Sequence, residues 1–161
     1  MIAIYTDGAS TGNPGPGGYG AVLKYKGQRK ELSSGFRLTT NNRMELLAVI
    51  VALEALKKDG MVVTVYSDSK YVVDSVEKGW IFNWQKKNFA KKANPDLWRR
   101  FLLIYPKHMV SFKWVKGHAG IPENERCDFL ATEAAAGLNL PPDVGYENSL
   151  DSQQQDSNSL L

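Results

Sequence analysis

Residues 7–20 read DGASTGNPGPGGYG, and within them Gly15, Gly17 and Gly20 fall at the G-x-G-x-x-G spacing of a dinucleotide-binding turn. Such a turn must open a helix, because the helix N-terminus holds the pyrophosphate. Here the glycines lead into AVLKYKG, where Val22, Lys24 and Lys26 alternate with Leu23 and Tyr25. That is the period of a strand. Pro14 and Pro16 interrupt the run, no acid stands ~20 residues further on in a second strand, and no Gly-Lys-Ser/Thr follows. The stretch therefore reads as a tight, glycine-rich connection between two strands. The informative residue is Asp7, at the end of IAIYTD.

The surrounding chain supplies the rest of a sheet. Residues 2–7, 19–26 and 29–36 read as three strands, the last two a hairpin turning near Gly27-Gln28. MELLAVIVALEALKK, within 43–58, has strong helix formers and a wide apolar face. Residues 61–67 read as a buried strand, and a helix from about Ser69 to Lys78 is stopped by Gly79. WIFNWQKK opens a short helix. Asn94-Pro95 starts another through DLWRRFLLIY. VSFKWV alternates as a strand, and a last helix runs from Pro122 to Gly137. Three sequential strands imply an antiparallel meander, and the later strand–helix alternation implies parallel pairing. The expected fold is α/β: one mixed sheet packed by helices.

With 161 residues, one domain is expected, and 43% hydrophobic with 23% charged residues is ordinary for a globular chain. No apolar run approaches a membrane span. Cys127 is the single cysteine, which excludes an internal disulfide framework and suits a reducing cytoplasm; on a helix it reads as inert filler. All 20 Lys and Arg precede residue 138, where they face 13 acids, while the last 24 residues hold four acids and no base. The basic body suggests a polyanionic partner. From Leu138 the apolar pattern disappears, so residues 138–161 are expected to be a disordered, polar, acidic tail.

Four acids sit where acids need a reason. Asp7 and Asp68 end strands, Glu45 lies in the first turn of the long helix, and Asp128 lies near the start of the last one. Strand ends and helix starts can converge on one rim of such a sheet. Converging carboxylates repel unless protonated or bridged by cations, and hard oxygen ligands suit Mg²⁺ or Mn²⁺ rather than zinc. Each acid also has a plainer reading. Glu45 could complete a capping box with Asn42, Asp68 could cap the next helix, Asp7 could stabilise its turn, and Asp128 could be solvated. His118, in the glycine-flanked VKGHAG, is placed to shuttle protons. His108 reads as a surface residue. No G-x-S-x-G elbow supports a Ser-His-Asp hydrolase.

Residues 78–100, KGWIFNWQKKNFAKKANPDLWRR, hold seven bases and one acid, with Trp80, Phe82, Trp84, Phe89 and Trp98 interleaved. Lysines neutralise phosphates, and aromatics pack on bases or sugars. For Trp84 and Trp98 a core role competes with that reading. For Lys86, Lys87, Lys91 and Lys92 nucleic acid is the favoured partner.

TDGASTGNPGPGGYGA, TTNNRMELLAVIVALEAL, YSDSKYV, WIFNWQKK and WVKGHAGIPENERCDFLA, in that order over about residues 1–136, together resemble bacterial type 1 ribonuclease H. The resemblance implies the ribonuclease H-like fold, a five-stranded mixed sheet with helices on both faces, with residues 1–137 as the catalytic domain. It implies endonucleolytic cleavage of the RNA strand of RNA–DNA hybrids by two Mg²⁺ ions, with Mn²⁺ as a possible substitute, leaving 5′-phosphate and 3′-hydroxyl ends. By motif, Asp7, Glu45, Asp68 and Asp128 would hold the metals and His118 would assist. Asn13, Thr40, Asn41 and Asn42 would contact the hybrid, and Trp80 to Lys92, with Trp80, Lys86 and Lys87 foremost, would match a basic protrusion. Position 70 is Lys where Gln commonly follows Asp-Ser, so Lys70 is expected to reach a phosphate. With no hybrid-binding domain before Met1, affinity is expected to come from the catalytic domain, as a cytoplasmic monomer. Two other readings stay open: an integrase-like nuclease of the same fold, and a catalytically silent hybrid-binding module.

Overall fold

The computed structural model describes residues 1–158. The sheet comprises β1 (Ile2–Ser10), β2 (Gly15–Tyr25), β3 (Gln28–Thr39), β4 (Val62–Ser67) and β5 (Met109–Trp114). The helices are α1 (Asn41–Glu54), α2 (Lys70–Glu77), α3 (Trp80–Lys86), α4 (Pro95–Ile104), α5 (Pro122–Ala135) and α6 (Val144–Asn158), with a 3₁₀ turn at Tyr105–Lys107. The strand order is β3-β2-β1-β4-β5. β1 pairs antiparallel with β2, and β2 with β3, whereas β1–β4 and β4–β5 are parallel. This is the expected mixed five-stranded sheet with helices on both faces.

The opening stretch is mostly strand. β1 continues to Ser10 and β2 begins at Gly15, so the connection shrinks to residues 11–14. The glycines serve the two faces of β2. A Cβ on Gly17 would lie 2.5 Å from Thr39 Cγ2 and 2.8 Å from the Ala9 carbonyl oxygen, on the side where Met44 of α1 packs at 3.3 Å. A Cβ on Gly18 would lie 2.6 Å from the Ala131 carbonyl oxygen of α5, and one on Gly20 would lie 2.5 Å from that of Cys127. Without side chains, α5 can rest directly on the β2 backbone.

α1 is buried along most of its length, from Arg43 to Leu53. Its apolar side chains join Ile4, Val63 and Val65 of the sheet, Ile81 of α3, and Trp98 and Phe101 of α4 in one core. Trp98 is fully buried, stacked edge-on against Trp84 and Phe101, and its Nε1 donates to Tyr71 Oη at 2.8 Å. The core reading thus holds for Trp98, and Phe89 is buried as well. His108 is not a surface residue. It is 8% exposed, and its Nδ1 accepts the Met61 backbone N–H at 3.2 Å.

The expected structureless tail is corrected for the described residues. α6 runs from Val144, and the segment before it is tied to the body. The Pro141 carbonyl accepts the Arg37 N–H. The buried Asp143 carboxylate accepts from Thr39 Oγ1 at 2.7 Å and from Arg43 Nε at 2.8 Å. Arg43, itself 3% exposed, reaches Asp96 on its other edge at 2.8 Å. Arg37 forms a bidentate pair with Glu147. These anchors are polar, so hydrophobic periodicity could not register them. Residues 159–161, the end of the expected tail, lie outside the described residues.

Candidate active site

Strand pairing brings two of the four acids together. Tyr5 of β1 is the register partner of Tyr66 of β4. Two residues further along each parallel chain stand Asp7 and Asp68, side by side at one rim of the sheet. Gly8 then lets α1 approach: a Cβ there would overlap the Glu45 backbone nitrogen and the Met44 carbonyl carbon. That approach sets Glu45 against Asp7. Gly20, the register partner of Asp7, bears α5 at Cys127, one residue before Asp128. Glycines on β1 and β2 therefore determine how near α1 and α5 bring their acids to Asp7.

Carboxylate oxygens of Asp7, Glu45 and Asp68 lie within 4.8 Å of one another. Asp128 lines the same cleft with Asp7, Asp68, Gly117, His118 and Asn124. The plainer readings of two acids fail. Thr40, not Asn42, caps α1 by accepting the Arg43 N–H, so Glu45 is no capping-box partner. Ser69, not Asp68, caps α2 by accepting the Val72 N–H.

The electrostatics follow from crowding. Burial holds the Glu45 carboxyl well above its ordinary value, and the charges of Asp7 and Asp68 push it further. Burial likewise pushes Asp7 up to about 7, although its hydrogen bond with Glu45 and the Gly8 N–H oppose the shift. Asp68 is raised by burial and by Asp128, and His118 opposes the rise. The cluster thus resists full ionisation without a counter-charge. Glu45 Oε2 is buried with no hydrogen-bond partner. An orphaned oxygen among clustered carboxylates fits a hard divalent cation, which prefers oxygen ligands.

His118 faces this cleft from the loop between β5 and α5, with its backbone at φ +57° in the left-handed region. Of the expected substrate residues, Asn13 and Asn41 meet: Asn13 Oδ1 accepts the Asn41 N–H at 3.1 Å, beside the Thr40 cap. Asn42 is exposed in the same turn. Lys70 Nζ lies 4.8 Å from the Trp114 ring centroid, and Trp114 Nε1 donates to the Asp68 carbonyl. Trp80 is 42% exposed with Lys78 against its ring, and Lys86 and Lys87 are exposed at the end of α3. Cys127 is buried and donates to the Tyr5 carbonyl; burial pushes its thiol up to about 12, so it is no nucleophile. Sequence reading missed Asn124 and Trp114. Asn124 stands four residues before Asp128, so helical periodicity would have placed both on one face.

The model of the RNase H family matches residues 1–136. The Ribonuclease H of Desulforamulus reducens is 60% identical over 148 residues, 89% of this chain and 92% of that protein. The Ribonuclease H of Trichodesmium erythraeum is 56% identical over 151 residues, 91% of this chain and 96% of that protein. Among solved structures, LC9-RNase H1, a type 1 RNase H with the type 2 active-site motif, superposes with a TM-score of 0.77 at 33% identity, covering 86% of this chain and 74% of that one. LC11-RNase H1 in complex with RNA/DNA hybrid gives 0.64 at 31% identity, covering 84% and 96%. With a family match over most of its length and relatives above half identity, this chain belongs to the RNase H family.

Proposed function

We propose that this chain is an endonuclease that hydrolyses the RNA strand of RNA–DNA hybrids, leaving 5′-phosphate and 3′-hydroxyl ends. The observation that carries the reading is the carboxylate cluster, in which three separate elements bring oxygens of Asp7, Glu45 and Asp68 within 4.8 Å. Asp7, Glu45, Asp68 and Asp128 would hold two divalent cations, Mg²⁺ with Mn²⁺ as a substitute. Bound there, such ions would lower the pKa of the attacking water and stabilise charge on the leaving oxygen.

The chain's own residues do the remainder. The Gly8 N–H fixes one oxygen of Asp7 at 2.9 Å and so orients its carboxylate within the cluster. Glu45, on the buried part of α1, brings a carboxylate oxygen to the cluster, and its Oε2 has no hydrogen-bond partner. His118 holds or moves a proton at the cleft mouth. Asn13, Thr40, Asn41 and Asn42 gather at the N-terminus of α1, whose positive end favours a phosphate although the Asn41 and Arg43 N–H groups already donate to Asn13 and Thr40. Lys70, Trp80, Lys86 and Lys87 supply charge and a ring face for the duplex. Strand choice comes from the 2′-hydroxyl, which RNA alone presents. Residues 1–137 form the catalytic domain, with the segment from 138 appended to it. The protein acts as a cytoplasmic monomer. No helix among the described residues is long and apolar enough to cross a membrane, and the buried free thiol suits a reducing compartment.

The test is cleavage of a labelled RNA–DNA hybrid with Mg²⁺ and with chelator, against double-stranded DNA and double-stranded RNA. Metal-dependent cutting of the RNA strand of the hybrid alone is the expected result. Binding without cutting would leave a silent binding module, and DNA strand transfer would point to an integrase-like enzyme.

A further inference from the structure

Among the described residues, three buried side-chain polar atoms lack a hydrogen-bond partner: Thr6 Oγ1, Glu45 Oε2 and Asn124 Oδ1. Glu45 belongs to the carboxylate cluster, and Asn124 lines the adjoining cleft. Asn124 has no evident fold-level task. It lies in the first turn of α5, whose N-cap is Ile121 with no side-chain cap bond. The first-turn backbone bond there runs from the Glu125 N–H to the Ile121 carbonyl without its help. Asn is also a poor helix former, because its side chain competes for the backbone. A buried, unsatisfied acceptor is destabilising unless something supplies a donor.

The position indicates the donor. Asn124 and Asp128 are four residues apart on one helix, hence one above the other on one face. Both line the cleft with Asp7, Asp68 and His118. The other polar side chains of the cleft are the acids Asp7, Asp68, Glu125 and Asp128, which accept but cannot donate once ionised, and the imidazole of His118. None of them hydrogen-bonds to the Asn124 carboxamide oxygen. A neutral acceptor beside them suits a water that is itself polarised. Small divalent cations such as Mg²⁺ keep several waters when bound by only a few carboxylates.

We propose that Asn124 is a positioning residue for the hydrated cation: its carboxamide oxygen accepts a hydrogen bond from a metal-bound water on the Asp128 side of the cleft. The proposal rests on the metal-dependent reading above. It assigns the cation an outer contact that carries no charge, so that the water is oriented without further repulsion among the acids.

The experiment measures Mg²⁺ affinity on the full, substrate-free chain, by calorimetry and by Mg²⁺-dependent thermal stabilisation. The proteins compared are wild type, Asn124→Ala and Asn124→Asp. Hybrid affinity in chelator is measured alongside. The Ala variant is expected to bind Mg²⁺ roughly three- to tenfold more weakly, the loss of one hydrogen bond, with unchanged hybrid affinity in chelator. The Asp variant, which keeps an acceptor and adds charge, is expected to bind Mg²⁺ at least as tightly as wild type. Equal Mg²⁺ affinity in wild type and the Ala variant overturns the proposal. So does an Ala variant that loses Mg²⁺ affinity and metal-free hybrid affinity together, because that marks general damage to α5. A wild-type chain showing no Mg²⁺ effect at all refutes the metal reading itself, a distinguishable failure.

Discussion

Replacing Asp7 with Asn should stabilise the metal-free protein while destroying its activity. In the fold, the Asp7 carboxyl is raised from 3.8 to about 7, first by burial and also by Asp68 and Asp128. A carboxyl that titrates higher in the folded than in the unfolded chain favours the fold below the unfolded value. That contribution is lost as pH rises through the folded value. Between 3.8 and about 7, at 1.36 kcal/mol per pH unit, ionising Asp7 costs the fold about 4 kcal/mol. Asp7 hydrogen-bonds with Glu45, whose carboxyl is also raised, and is only partly buried, so roughly half of that, about 2 kcal/mol, is the expected gain for Asp7→Asn at pH 8 in chelator. For a chain of this length that gain raises the Tm by roughly 4–8 °C. The assay is thermal unfolding of both proteins with EDTA at pH 4, 6 and 8. The difference should be near zero at pH 4 and grow with pH. Saturating Mg²⁺ should shrink it by stabilising the wild type. Cleavage should be abolished, with hybrid binding largely retained. An Asn variant less stable than wild type at pH 8, or a gain equal at pH 4 and pH 8, would refute the reasoning.

Gly20→Val should cost roughly 1–3 kcal/mol by overpacking, because its Cβ would meet the Cys127 carbonyl at 2.5 Å. Hybrid cleavage should fall further than stability alone explains, as α5 carries Asp128 away from Asp7; unchanged turnover would count against that seating. Asp143→Ala should destabilise by about 3 kcal/mol in urea unfolding, by leaving one side of buried Arg43 unpaired. A loss near zero would mean that residues 138–147 are only loosely attached. Lys70→Gln should reduce the salt slope of hybrid binding by about 1, the mark of one lost phosphate contact, and an unchanged slope would remove Lys70 from the interface. Mg²⁺ affinity should rise with pH across the range where Asp7, Glu45 and Asp68 release their protons, since ligating carboxylates must be deprotonated. A flat pH profile in calorimetry would contradict the raised carboxyls.

Much of the site was legible in the chain because strands and helices obey local periodicity. The alternation after Gly20 excluded a nucleotide-binding turn, and the acids at strand ends and helix starts suggested a shared rim. Five motif blocks in order then tied them to a known family. Other features were hidden for physical reasons. Phe89 and Trp98 sit in a basic, aromatic stretch, and only packing separates buried rings from Trp80, which is 42% exposed. His108 carries no local signal that its Nδ1 will meet the Met61 N–H.

By itself the sequence determined the element order as far as α5, the mixed sheet and the identity of the four acids, since these follow from periodicity and motif. Tertiary structure alone decided what the glycines are for. Gly18 reads locally as part of a turn, but it is a strand residue, and it and Gly20 are kept bare so that α5 can lie on β2. Tertiary structure also converted an apparently featureless tail into a docked segment, through the Asp143–Arg43–Asp96 network. Both outcomes depend on contacts between residues about one hundred positions apart, and no window along the chain contains both partners.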